Sequence, residues 1–220
     1  MAIDWEERAR ASQARFEDGA TRLPDETDER QRQLTRMGNA AWAAGLSFLM
    51  LGDREDAETW LIRAANTYRE SWPSAPPGSW GRPIGAMKSR LIAGDLAGAR
   101  DDARWALEAD AAESESPIGR YAAALASLVV GEDGGAATLA ASLVGAEAIP
   151  PAVTDAITAL AAHDARAYVS AIEALVADFE ARAAYLEDTP VADTVLALQV
   201  LAREREIAIT LDSRLLPSEC

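Results

Sequence analysis

Four short segments of the chain repeat one pattern: LMLGDREDA (49–57), LIAGDLAGA (91–99), LVVGEDGGA (128–136) and LAAHDARAY (160–168). Each has a leucine, two residues, a glycine or histidine, an acidic residue, and an alanine or tyrosine five places after the glycine position. Each is flanked by apolar runs of helical spacing. A glycine ending a helix adopts the left-handed backbone at little cost. The acidic residue after it accepts the free N–H groups of the next helix. The small residue lets two antiparallel helices approach. The pattern therefore predicts helical hairpins turning at Gly52, Gly94, Gly131 and His163, with Asp53, Asp95, Glu132 and Asp164 as caps. A hairpin cannot bury its whole apolar face alone, so hairpins stack.

The rest of the chain agrees with an all-α fold. Its apolar residues are mostly alanine and leucine, the best helix formers, and aromatics make up 6%. Helices are expected at about 3–19, 26–51, 54–70, 84–93, 96–110, 117–130, 135–145, 152–162, 165–186 and 190–205. Asp4 is the expected cap of the first helix and Gly19 its stop. The segment SWPSAPPGSWGRP (71–83) cannot be helical across its centre. Trp72 and Trp80 within it read either as a staple that fixes the loop or as an exposed aromatic edge; the staple is preferred, since exposed tryptophan pairs promote aggregation. The tail 207–217 reads as a short extended piece or as a coil over the last helix. The expected organisation is one domain over 1–220: an N-terminal part (1–37), four hairpins (38–186) and a capping helix with tail (187–220).

The hairpins resemble the tetratricopeptide-like helical-repeat class over residues 38–186, with Gly45, Gly52, Ala57, Leu61 and Ala64 at that class's spacings. The resemblance implies a short α-solenoid; the drift in unit length leaves a compact bundle as the alternative. Arg90 stands where a large apolar residue is usual, and Tyr168 replaces alanine. The C-terminal third, LAAHDARAYVSAIEALVADFEARAAY, LALQVLARE and SRLLP, resembles helical immunity proteins that neutralise bacterial toxins, with Glu206 in place of a glycine.

Composition narrows the function. The net charge is -15, from 21 basic and 36 acidic residues. Such a surface repels nucleic acid and anionic lipid, and neither is an expected partner. One lysine, Lys88, stands against twenty arginines; the composition resembles that of salt-loving archaeal proteins, which GC-rich coding would also produce. The one cysteine, Cys220, is the last residue, so no intrachain disulfide forms, in keeping with a cytoplasmic location. MAIDWEERARASQARF has no apolar core segment, so no signal peptide is expected.

No catalytic, cofactor or metal site is expected. His163 is the one histidine. With Asp164 beside it, it reads either as a base with its orienter or, preferentially, as a residue ending one helix before a cap starts the next. Asp101 and Arg104 form a surface pair, and GEDGGA (131–136) lacks the lysine of a phosphate loop.

In the repeat class, the first helix of each hairpin lines the inner face. Counting back ten residues from the turns gives Trp42, Ile84 and Tyr121, and counting back thirteen gives Asn39, Gly81 and Ile118; of these, Asn39, Trp42, Ile84 and Tyr121 are taken together with Arg82, Lys88 and Arg120 nearby. These seven are the candidate partner-binding residues: aromatic anchors and cations in a groove, or else core residues and scattered charge. The expected function is a non-enzymatic scaffold for a peptide or protein, a basic partner being one option. The alternatives are a toxin-neutralising immunity protein, a structural homodimerising domain, and, last, a hydrolase using carboxylates near His163.

Overall fold

A computed structural model of the chain describes residues 3–218; Cys220 lies outside them. Among the described residues there are ten α-helices and no strand: α1 (Trp5–Thr21), α2 (Thr27–Leu51), α3 (Arg54–Ser71), α4 (Gly81–Ala93), α5 (Leu96–Glu108), α6 (Pro117–Val130), α7 (Asp133–Ala141), α8 (Pro151–Ala161), α9 (Ala165–Glu180) and α10 (Asp193–Glu204). Each helix from α1 to α9 packs on the next, and α6 also touches α4 and α8, so that the three form a layer. The last helix, α10, lies on that layer against α4 and α8. None of the described helices is long and apolar enough to cross a membrane.

The four turns are built alike. Gly52, Gly94, Gly131 and His163 have φ of 80°, 81°, 84° and 52°. At each, the turn residue's N–H and the next N–H reach back to close the helix: Gly52 to Leu49 and Asp53 to Phe48, Gly94 to Leu91 and Asp95 to Arg90, Gly131 to Leu128 and Glu132 to Ser127, His163 to Leu160 and Asp164 to Ala159. This is the paired closure that satisfies the last carbonyls of a helix. Asp53, Asp95 and Asp164 cap α3, α5 and α9 by accepting from Asp56, Gly98 and Ala167 N–H. Glu132 does not cap α7; its side chain is one methylene longer than aspartate, and Asp133 beside it is used for other contacts described below.

Several boundaries differ from the sequence expectation. Gly19 does not stop α1. It is a buried close-approach point, where a Cβ would lie 2.8 Å from Met37 Cγ on α2. α4 begins at Gly81, with Pro83 in its first turn where no N–H partner is required. α7 ends at Ala141, before a second left-handed glycine, Gly145. α9 ends at Glu180 rather than at 186. The following segment crosses to the N-terminal helices: Arg15 pairs with Glu187 at 2.9 Å, and Arg8 donates to the Asp188 carbonyl. The tail forms no strand; it covers α10, with Ala192 N–H donating to the Leu215 carbonyl at 2.9 Å.

Two side-chain assemblies fix the first half. Asp102, fully buried on α5, accepts from Arg69 Nη1 of α3 and Arg90 Nε of α4, both at 2.7 Å. Arg90 further donates to Asp95 at 2.6 Å and to Asn66 at 2.7 Å. Arg90 thus ties three helices where an apolar residue would only fill space. Trp72 packs on Trp80 and edge-on against Trp105, with centroids 5.6 and 5.4 Å apart. The tryptophan pair of the proline-rich loop is a staple, as preferred from the sequence.

Candidate functional site

α2 and α4 are neighbours on either side of α3, and Tyr68 of α3 stands between them. Its ring lies against Gly38 and Gly85, where added Cβ atoms would come within 2.7 and 2.8 Å of it. The absence of side chains at these glycines lets the ring through. Its hydroxyl donates to Asn39 Oδ1 at 2.8 Å. Burial first, then the charges of Asp193 and Glu187, push this hydroxyl far above the ordinary tyrosine range, so it stays protonated and remains a donor.

Beside this ring is a pocket of about 360 Å³. Asn39, Trp42, Arg82, Ile84 and Lys88, five of the seven sequence candidates, line it together with Tyr68, Leu186 and Asp193. Trp42 and Ile84 are largely core residues with an edge on the pocket; Trp42 is 4% exposed. Leu186, on the crossing segment, is 53% exposed and forms a lip. The pocket is thus mostly apolar, with a few polar groups, the usual composition of a ligand site.

The two cations of the pocket are in different situations. Lys88 Nζ contacts Asp193 Oδ2 at 2.5 Å and donates to Thr194 Oγ1 at 3.1 Å, both at the start of α10. Burial pushes the Lys88 ammonium down, but Asp193 outweighs it and the net shift is upward. Arg82 is 6% exposed and is met by neutral groups: Thr35 Oγ1 at 3.1 Å, the Ser71 carbonyl at 3.3 Å, and Gln31 Oε1. Burial pushes the guanidinium down from its ordinary range, and no carboxylate among the described residues pairs with it. The nearest carboxylate in its hydrogen-bond chain is Asp28, one amide away through Gln31, whose Nε2 donates to Asp28 Oδ1 at 2.9 Å.

The other two candidates lie elsewhere. Tyr121 is 8% exposed and sits beside Lys88 and Thr194, under α10; burial first, then Asp193, pushes its hydroxyl up, against the opposing charge of Lys88. Arg120 is half-buried, and its Nε has no hydrogen-bond partner. The layer face that the sequence left open between groove and core is therefore divided. Around Tyr121 it is covered by the chain's own α10, and around Trp42 and Arg82 it opens into the pocket. Tyr68, Leu186 and Asp193 were not among the candidates. Tyr68 carried a signal, glycines on both flanking helices, but one that only the packing makes readable.

His163 does not pair with Asp164, which is occupied as a cap. Its Nε2 lies 3.0 Å from Oδ2 of Asp133, whose Oδ1 receives Arg205 at 2.5 Å. Burial pushes the Asp133 carboxyl up, but Arg205 and then His163 outweigh it and hold it below the usual carboxylate range. Arg205 also donates to the Leu128 carbonyl at 2.9 Å, closing the end of α6. A cavity of about 250 Å³ adjoins this group. His163 is exposed at 55% of its side chain, and the cavity lining holds no serine, threonine or cysteine to act as a nucleophile. The group ties α6, α7 and α10 to the last turn. Among the described residues, no set of three or more histidine, cysteine, aspartate or glutamate side chains is placed to hold a metal ion.

Compared with known proteins, the chain matches no family model, no curated protein and no solved structure.

Proposed function

We propose that the chain is a non-enzymatic binding module, a degenerate tetratricopeptide-like stack of hairpins that takes a peptide segment of a partner in the pocket between α2, α3 and α4. One observation carries the reading. Asn39, Trp42 and Ile84, chosen by counting back from the turns, and Arg82 and Lys88, the cations noted beside them, line one pocket whose size, apolar wall and buried cation suit a recognition site. The four equivalent turns and the sequential packing support the repeat likeness. Since α10 covers the layer near Tyr121, the module engages a short segment at one end rather than a long peptide along its length.

A peptide-display selection on the wild-type chain tests this. Selected peptides should lose at least about tenfold in affinity, some 1.4 kcal/mol, on Leu186→Asp, which alters only the exposed lip. Unchanged binding to that variant contradicts the assignment of the pocket. The immunity-protein alternative makes a different prediction: a basic partner whose binding weakens steeply with salt.

A further inference from the structure

We infer that the turn Leu186–Asp188, in the segment that crosses from α9 to α1, is a hinged lid on the pocket, clasped by Arg8 and Arg15, which lifts to admit the partner's segment and closes over it. This rests on the reading of the pocket as a peptide site. The first support is position. Leu186 and Asp193, at the two ends of the stretch, both line the pocket, and the turn between them packs on α2. The charge of Glu187 is felt at the Tyr68 hydroxyl inside. The turn therefore runs along the rim, with Leu186 as its exposed lip.

The second support is unequal anchoring along the segment. Its far end is fixed: Thr189 and Val191 are buried, Ala192 N–H donates to the Leu215 carbonyl, and Asp193 holds Lys88. At its near end the Tyr185 hydroxyl donates to the Phe179 carbonyl at 2.6 Å. The turn between these two hinges is held from outside by solvent-facing contacts. Arg15, with its side chain 50% exposed, pairs with Glu187, and Arg8 reaches the Asp188 carbonyl. Backbone strain opposes them. Glu187 and Asp188 are both left-handed, with φ of 52° and 51°, a conformation that a residue with a Cβ resists. The other left-handed residues that are not glycine, Asp110, His163 and Glu206, stand singly among the described residues. Strain of this kind persists only where neighbours hold it, and it collects in clamps and switches. A turn strained from within and clasped by an exposed ion pair opens more readily than the packed helices around it. Lifting Leu186 widens the mouth while Asp193 stays paired with Lys88.

Two changes move the lid in opposite directions without altering the pocket wall. Arg15→Gln removes the ion pair of the clasp. Asp188→Gly relieves one left-handed residue and keeps the contact to Arg8, which is made through the backbone carbonyl. The first measurement is amide hydrogen exchange of the full chain at Thr189, whose N–H donates to the Leu186 carbonyl at 3.0 Å across the turn. Its protection should fall about threefold in Arg15→Gln, the scale of an exposed ion pair, and rise about threefold in Asp188→Gly, from the strain removed. Both variants should keep the wild-type circular dichroism. The second measurement is the dissociation rate of the tightest display-selected peptide, followed by stopped-flow anisotropy. A segment under the lid leaves only when the lid lifts, so dissociation should follow the open fraction, faster in Arg15→Gln and slower in Asp188→Gly. Unchanged protection in both variants, or a shift of the same sign in both, overturns the lid. Dissociation that ignores both variants, from peptides that Leu186→Asp does weaken, overturns the lid and leaves the peptide site standing. A selection that yields no peptide, or peptides that bind Leu186→Asp unchanged, overturns the pocket reading and the lid with it.

Discussion

Tyr68 of α3 donates to Asn39 of α2 at 2.8 Å, its ring lying against Gly38 of α2 and Gly85 of α4, where added Cβ atoms would come within 2.7 and 2.8 Å of it. The contact joins two residues that line the candidate pocket. It also makes the pocket part of the packing, so changes to one register in the other.

Gly85→Ala should lower stability by about 2 kcal/mol, the range for overpacking a close contact, because the new Cβ falls 2.8 Å from the Tyr68 ring. Gly81→Ala, one turn earlier with nothing in reach, should be neutral or slightly stabilising through helix propensity. Urea denaturation of the two variants checks the contrast, and equal effects would argue against the ring's placement.

Asp102→Asn should cost about 3 kcal/mol, since it leaves Arg69 and Arg90 without their shared buried carboxylate. The measurement is the shift in the urea midpoint at constant slope. Asp101→Asn is the control; its pair with Arg104 is exposed, and its loss should change stability by less than about 0.5 kcal/mol.

Gly94→Ala should cost about 1 kcal/mol from backbone conformation alone, because φ is 81° and no atom lies within 4 Å of the added Cβ. The reverse change, His163→Gly, relieves the same strain at φ of 52° but removes an exposed contact to Asp133. It should stay within about 0.5 kcal/mol of the wild type at neutral pH.

What was legible in the sequence was local. Gly52, Gly94, Gly131 and His163 turn as their spacing implies, since a left-handed closure and an aspartate cap are settled within a few residues. Glu132 failed as a cap because its neighbour Asp133 is recruited by Arg205 and His163, far along the chain. Gly19 looked like a stop and is a contact point with Met37, a distinction that depends on α2. The candidate site was half legible. Register placed Trp42, Ile84 and Asn39 on one face, but Leu186 and Asp193 reach it from a segment read as helix ends, and the covering of Tyr121 by α10 is a long-range choice. The burial of Arg82 without a carboxylate is invisible to any local reading.

Asp133 has a defined pH signature. Its folded pKa lies below the ordinary value, so its pairing stabilises the fold above the unfolded carboxylate value of about 3.9 and is lost as pH falls through the folded value. The wild type should exceed Asp133→Asn by about 1–2 kcal/mol at neutral pH, with the gap closing below about pH 4. A gap that persists in acid would assign the loss to packing instead.

The most direct test of the pocket assignment is a backbone and indole NMR titration of the full chain with the tightest display-selected peptide. Shifts should concentrate at Asn39, Trp42, Tyr68, Arg82, Gly85 and Leu186, and the signals of Asp133, His163 and Arg205 should stay in place. Shifts centred on His163, or spread along α10 as it leaves the layer, would contradict the account.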